Sequence, residues 1–305
     1  MTINANDLHG AIAAVVTPFR DDQSLNPEGL QAIVEYVVAG GVGAVMTTGG
    51  TGEFPSLSRD ERAQVAEVAV KATANRVPVV AGTAACSTRE VVALCHDALD
   101  VGADAVIVTA PFYFPLPAKS LYEHYATVAR DAGLPVVVYN SPLYTGNDLS
   151  PDLLLRLLEL PGVIGIKESN ADLGQLVEIV AHAPAGRSIC TGIDSQYYPA
   201  LAIGAHGIYS TGATVLPDRY SRLYDLVIQG RHEEARALQL ALQPLNRFFE
   251  YDPGYVSPAK EALRQLGYPA GPVRKPLPDI TEDERAGIRK ALVDLGALPA
   301  EPQPS

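Results

Sequence analysis

The chain has 305 residues, 47% of them hydrophobic and 19% charged, enough apolar material for a large core and too little charge density for a disordered chain. Acidic residues outnumber basic ones 35 to 23, a formal charge of -12, and no Lys/Arg run is present to track a phosphate backbone, which argues against nucleic-acid and anionic-membrane partners. The N-terminus has no basic segment leading into an apolar one, no run reads as a membrane helix, and a cytoplasmic location is expected. Three cysteines (Cys86, Cys95, Cys190) and six scattered histidines match no zinc-binding spacing, so neither a disulfide scaffold nor a metal site is expected.

Short apolar runs alternate with longer amphipathic stretches over the first 230 residues, the pattern of βα units on a parallel sheet. The predicted strands are Ala11 to Val16, Ala44 to Thr48, Val77 to Ala81, Ala105 to Thr109, Val136 to Tyr139, Val163 to Lys167, Ser188 to Thr191 and Gly207 to Ser210. Gly41, Gly102 and Gly204 each precede a strand and read as helix terminators. Ser58-Arg-Asp-Glu61 and Ser87-Thr-Arg-Glu90 read as capping boxes, and Asn26-Pro27 and Ser150-Pro151 as cap-then-proline helix starts. Eight such units close most economically into a (β/α)8 barrel, whose loops after the strand C-termini collect catalytic groups. An open doubly wound sheet needs a dinucleotide fingerprint, and Gly40-Gly-Val-Gly43 stands before a strand instead of between strand and helix. After Gly230 only helices are predicted: His232 to Phe249, Tyr255 to Leu266 and Thr281 to Leu295. The expected division is a barrel over residues 1–230, a C-terminal helical domain over 231–297 and a tail over 298–305.

Of the six lysines, Lys71, Lys119, Lys260, Lys275 and Lys290 fall in helical or proline-flanked segments where a solvated ammonium is expected. Lys167 ends the run Gly162-Val-Ile-Gly-Ile-Lys167, so in a barrel its amine points into the C-terminal mouth above apolar walls. Desolvation disfavours an ammonium there, which suits a lysine that attacks a carbonyl to form a Schiff base; pairing with Glu168 is the alternative. Tyr139 occupies the corresponding place one strand earlier, about 4.8 Å away, within reach of a substrate on Lys167 as a proton carrier. Gly49-Gly-Thr-Gly-Glu53, after the second strand, reads either as a backbone nest for a carboxylate or as a simple tight turn. Ala110-Pro-Phe-Tyr-Phe-Pro-Leu-Pro117 sets three aromatics in a stiff loop, suited to a subunit interface beside the site or to packing against the chain's own helices.

Together, Gly49-Gly-Thr-Gly-Glu53, Pro111-Phe-Tyr-Phe-Pro115, Tyr139-Asn-Ser-Pro-Leu-Tyr-Thr-Gly146 and Gly165-Ile-Lys-Glu-Ser169, at four strand ends and in order, resemble the dihydrodipicolinate synthase/N-acetylneuraminate lyase family from about residue 8 to 295. The resemblance implies a (β/α)8 barrel with a C-terminal helical extension, a homotetramer, and pyruvate held as a lysine Schiff base without metal or other cofactor. It implies that Lys167 is the Schiff-base lysine, that Tyr139 moves protons, and that Thr51 with the amides of its loop, Gly50 included, holds the pyruvate carboxylate. By the same resemblance Tyr113 is inserted by a neighbouring subunit, and the Tyr209 carbonyl contacts the pyruvate unit. Ser169, Asp194 and Thr211 match positions that bind a hydroxylated chain.

Two positions depart from the pattern. Gly50 stands where members commonly carry a hydroxyl residue, so the relay to Tyr139 must be missing, water-mediated or rebuilt. Tyr144 stands where dihydrodipicolinate synthases carry an Arg for the carboxylate of their amino-aldehyde, a charge-assisted contact that a phenol does not replace. Glu53-Phe-Pro and Gly271-Pro-Val-Arg-Lys-Pro276 resemble 4-hydroxy-2-oxoglutarate aldolases, the latter segment resembling the 5-dehydro-4-deoxyglucarate dehydratase branch as well, and Ser195 speaks against sialic acid. The expected activity is therefore a class I aldolase or lyase joining or splitting pyruvate and an aldehyde, in a 4-hydroxy-2-oxo or 2-keto-3-deoxy acid. The rivals are 4-hydroxy-tetrahydrodipicolinate synthase, a 5-dehydro-4-deoxyglucarate dehydratase, a non-catalytic metabolite-binding regulator, and a phosphate-binding barrel using Gly207 to Gly212.

Overall fold

The computed structural model describes residues 3–250 and 255–299. Eight parallel strands close on themselves: β1 (Gly10–Ala14), β2 (Ala44–Thr47), β3 (Val79–Gly82), β4 (Ala105–Thr109), β5 (Val136–Asn140), β6 (Val163–Glu168), β7 (Ser188–Thr191) and β8 (Gly207–Ser210), with β8 hydrogen-bonded back to β1. Nearly every strand residue is buried, because in a parallel barrel one strand face packs on helices and the other fills the interior. That is why the strands read as unbroken apolar runs. Ile12, Met46, Val80, Ile107, Val137, Cys190 and Tyr209 form the inner core.

The helices between strands are α1 (Pro27–Ala39), α2 (Arg59–Thr73), α3 (Thr88–Asp100) and α4 (Ala118–Asp131) in the first half. The second half carries α5 (Pro142–Thr145), α6 (Pro151–Leu158), α7 (Leu173–His182), α8 (Tyr197–Ala202), α9 (Gly212–Val215) and α10 (Pro217–Ile228). Ser58 and Glu61 form the expected capping box. At Ser87 only one arm is made, the Glu90 amide donating to the serine hydroxyl. Asn26 and Ser150 cap α1 and α6 ahead of their prolines. Gly41, Gly102 and Gly204 have φ of 87°, 87° and 101°, the left-handed turn that ends a helix and that a Cβ disfavours. β3 starts at Val79, two residues later than expected, since Pro78 has no N–H to give a ladder. β1 is Gly10–Ala14 and not Ala11 to Val16, although the Val15 amide still bonds the Met46 carbonyl at 3.0 Å.

Three further helices follow: α11 (His232–Glu250), α12 (Val256–Gln265) and α13 (Glu282–Asp294). Leu242, Leu245, Ala259, Leu263, Ile288 and Leu292 share one apolar cluster with Ile33, Leu216 and Tyr220 of the barrel wall. The first eight residues of α12 are all buried, as befits a helix covered on every side. From Ala300 onward, the tail expected over 298–305 lies outside the described residues. Among those residues no helix is long and apolar enough to cross a membrane.

Candidate active site

Side chains alternate along a strand, so on β6 Lys167 points inward and Glu168 outward. The Glu168 carboxylate accepts hydrogen bonds from Asn140 Nδ2 (3.0 Å), the Asn170 amide (2.7 Å) and Gln175 Nε2 (3.2 Å), so the alternative pairing of Lys167 with Glu168 does not form. Burial pushes that carboxyl up to about 7 against the pull of these donors. Lys167 is 7% exposed, and its register neighbours are Tyr139 on β5 and Cys190 on β7. Its Nζ stands 4.1 Å from the centroid of the Tyr139 ring and 5.8 Å from that of Tyr209. Gly192 makes the room: a Cβ there would meet Lys167 Cε at 2.5 Å and clash with Ser169 Oγ. Burial pushes the Tyr139 phenol up, but the Lys167 charge and the Ser141 and Ser169 hydroxyls outweigh it, so the phenol lies below its ordinary value.

A cleft of about 350 Å³ opens over the β2, β4 and β5 ends, lined by Gly50, Thr109, Tyr139, Tyr144 and Tyr255 among others. Lys167 does not line it directly; the ring of Tyr139, beside Nζ, does. The glycine loop closes on itself through bonds from the Glu53 amide to the Gly50 carbonyl (3.0 Å) and from the Phe54 amide to the Gly49 carbonyl (3.3 Å). Thr51 Oγ1 and Thr211 Oγ1 are 2.9 Å apart, which joins two sequence-predicted positions from the loops after β2 and β8, the strands on either side of β1. Four of the six described non-glycine residues with positive φ, Gln23 (69°), Thr48 (50°), Glu53 (56°) and Tyr113 (83°), lie in loops that follow strand C-termini, where strained backbone tends to gather when it serves a site.

The loop is anchored by a group that sequence reasoning dismissed. Lys260, expected to be solvated, is 0% exposed and forms an ion pair with Glu53 at 2.5 Å, both side chains fully buried. Its Nζ also donates to the Pro272 carbonyl at 2.7 Å and lies 4.4 Å from the centre of the Phe19 ring. The Arg274 amide donates to Glu53 at 2.9 Å, and its guanidinium binds Glu61. Burial pushes the Lys260 ammonium down to about 8 and the Glu53 carboxyl up. A helical period in α12 does not reveal a lysine's partner 207 positions away, so no local signal marked this one.

Ser169 Oγ is buried beside the Tyr139 phenol, and the Tyr209 hydroxyl is buried without a hydrogen-bond partner among the described residues. Asp194, matched to a position that binds a hydroxylated chain, is turned inward: its carboxylate accepts from the Ser210 hydroxyl and, at 3.4 Å, from the Gly212 amide. That carboxyl group, before the start of α9, already takes the Gly212 amide that the phosphate-binding alternative needs as a donor. Tyr113 is 83% exposed and stays out of this chain's own cleft. Phe112 packs edge-on to Phe54, whereas Tyr113 and Phe114 meet edge to face in the open, so the chain's own helices do not bury all three. Asn147 holds their loop through bonds to the Pro111 and Phe114 carbonyls.

A lysine buried beside a phenol at the C-terminal ends of neighbouring barrel strands is the arrangement that a class I aldolase or lyase, which works through a Schiff base, requires. Residues 7–295 match the model of the dihydrodipicolinate synthetase family, and the chain belongs to that family. It is 39% identical over 294 residues to an uncharacterized DapA-like lyase of Halobacterium salinarum, covering 95% of each chain. It is 36% identical to a 4-hydroxy-tetrahydrodipicolinate synthase of Methanothrix thermoacetophila, covering 95% of this chain and 97% of the other. The crystal structure of the chloride-inhibited dihydrodipicolinate synthase from Acinetobacter baumannii complexed with pyruvate superposes with a TM-score of 0.90 at 32% identity, over 95% of this chain and 99% of that one.

Proposed function

We propose that the chain condenses Lys167 with pyruvate and acts as an aldolase or lyase on a 4-hydroxy-2-oxo or 2-keto-3-deoxy acid, in the cytoplasm. The observation that carries this reading is the pairing of Lys167 with Tyr139 across β5 and β6, the amine 4.1 Å from the centre of the tyrosine ring. Pyruvate as the partner is supported by its presence in a structural relative. Lys167 Nζ attacks the C2 carbonyl and water leaves, giving a protonated imine. When the C3–C4 bond breaks, its electron pair passes to the iminium nitrogen and an enamine forms. Tyr139 takes the proton of the C4 hydroxyl as the aldehyde departs. The Gly50–Thr51 loop and Thr211 hold the carboxylate, Ser169 faces the substrate beside the imine, and the Tyr209 carbonyl contacts the pyruvate unit. Asp194 acts at one remove, through Ser210.

The cleft's lining has one charged side chain, Glu53, which Lys260 already neutralises. No cation among the lining residues meets a second carboxylate, which favours an uncharged aldehyde over the amino-aldehyde of the synthases. The name of the Methanothrix relative favours the synthase as second reading. The exposed Tyr113, Phe114, Leu143 and Tyr144 support a homotetramer in which Tyr113 completes the site of a neighbouring subunit.

Borohydride reduction in the presence of pyruvate, followed by peptide mass mapping, tests the reading. A covalent increment on the Lys167 peptide is expected, and its absence removes the proposal and favours a regulator that binds without turnover. Incubation with candidate acids then separates the chemistries: pyruvate plus an aldehyde supports the aldolase, and loss of water the dehydratase.

A further inference from the structure

The C-terminal helices put an aromatic residue into the cleft that no strand supplies. Tyr255, at the start of α12, lines the cleft together with Gly50, Tyr139 and Tyr144. Its hydroxyl oxygen lies 2.6 Å from where a Cβ on Gly50 would stand, and its Cζ 3.9 Å. Any side chain at position 50 therefore collides with the phenol. The glycine and the tyrosine fit as a pair, one vacating the space that the other fills. The Thr51 hydroxyl stands against Tyr255 as a hydrogen-bonding partner, and Tyr139 is close enough for its charge to be felt. The Tyr144 ring lies 6.3 Å away, centroid to centroid. Helix α12 holds this placement because Lys260, five residues on, is locked to Glu53 of the same glycine loop.

We propose that Tyr255 is a positioning residue for Tyr139: its hydroxyl, standing over Gly50, supplies the hydrogen bond that supports Tyr139 in its deprotonated form and continues the hydroxyl chain to Thr51 and Thr211. The chemistry is consistent on both sides. Burial and the neighbouring phenols push Tyr255 above its ordinary value, whereas the Lys167 charge helps draw Tyr139 down. Of the two phenols, Tyr139 ionises first, and Tyr255 stays a neutral donor beside it. The titratable and charged groups facing the pair are Lys167, Tyr144 and Asp194. A phenolate held this way can take a proton from C3 of the bound imine: the C–H bond breaks, its electron pair flows to the iminium nitrogen, and the proton goes to the Tyr139 oxygen.

This inference rests on the imine of the proposed function, and its test reads the two separately. Borohydride trapping with pyruvate reports the imine. Exchange of the pyruvate methyl protons for deuterium, followed by NMR across a pH series, reports Tyr139. In Tyr255→Phe, trapping is expected to persist while exchange slows about tenfold to a hundredfold, the value of one hydrogen bond to a charged group. The apparent pKa of the exchange profile is expected to rise by about one unit. Gly50→Ala displaces the phenol and is expected to reproduce that profile, with little further loss when Tyr255→Phe is added. Gly50→Ser combined with Tyr255→Phe returns a hydroxyl to the vacated space and is expected to recover part of the exchange rate, which a merely structural role does not predict. If wild type fails to trap, the proposed function falls. If trapping and the exchange profile are both unchanged in Tyr255→Phe, or the serine variant recovers nothing, the positioning role falls while the imine stands.

Discussion

Replacing Lys260 by methionine strips the counter-ion from a buried carboxylate. Both side chains of the pair are fully buried, and among the described residues Glu53 retains only the Arg274 amide as a direct donor. Breaking a buried pair from one side costs about 3–5 kcal/mol, because the remaining charge is left uncompensated. An unfolding entropy of about 2.1 cal/mol/K per residue over 305 residues comes to about 0.64 kcal/mol/K. The melting temperature of Lys260→Met is therefore expected to fall by about 5–8 °C in differential scanning calorimetry at neutral pH. Proton uptake by Glu53, whose carboxyl burial already pushes up, limits the loss to the lower end as the pH is reduced. Combining Lys260→Met with Glu53→Gln removes the stranded charge, and the neutral amide still accepts from the Arg274 amide, so at least half the loss is expected to return. A single variant that melts within about 1 °C of wild type, or a double variant no more stable than the single, refutes this reasoning.

Two further outcomes follow from the site. Tyr139→Phe should keep borohydride trapping with pyruvate measurable and slow turnover by about 10²- to 10⁴-fold, the usual worth of a general acid/base; unchanged turnover on a cleavable substrate removes its proton-carrying role. Glu168, pushed up from 4.5 to about 7, is held more tightly by its proton in the folded than in the unfolded chain. Its contribution is therefore fully present below about pH 4.5 and is lost as the pH rises to about 7, a span worth about 3 kcal/mol. Denaturant midpoints measured over that window should decline with pH in wild type and flatten in Glu168→Gln; an equal slope in both places the titration elsewhere.

The strand runs, the glycine turns and Lys167 at the end of Gly162 to Lys167 are legible in the sequence because each depends on neighbours a few positions away. Burial on both faces makes a parallel strand uniformly apolar, and a left-handed helix end asks for glycine. The inward direction of Lys167 and its level with Tyr139 follow from strand alternation once eight units are counted. Local pattern did not disclose contacts made across the whole chain. Lys260 reads as one more helical lysine until α12 is laid against the glycine loop, and Tyr255 reads as the first residue of a helix until its oxygen is found over Gly50. Sequence by itself thus determined the barrel and the place of the Lys167 amine in it, since periodicity and motif are short-range properties of the chain. The anchor of the glycine loop and the phenol over Gly50 were decided only by the tertiary packing of the C-terminal helices, because burial and partner choice for a side chain depend on residues about 200 positions away, brought beside it by the fold.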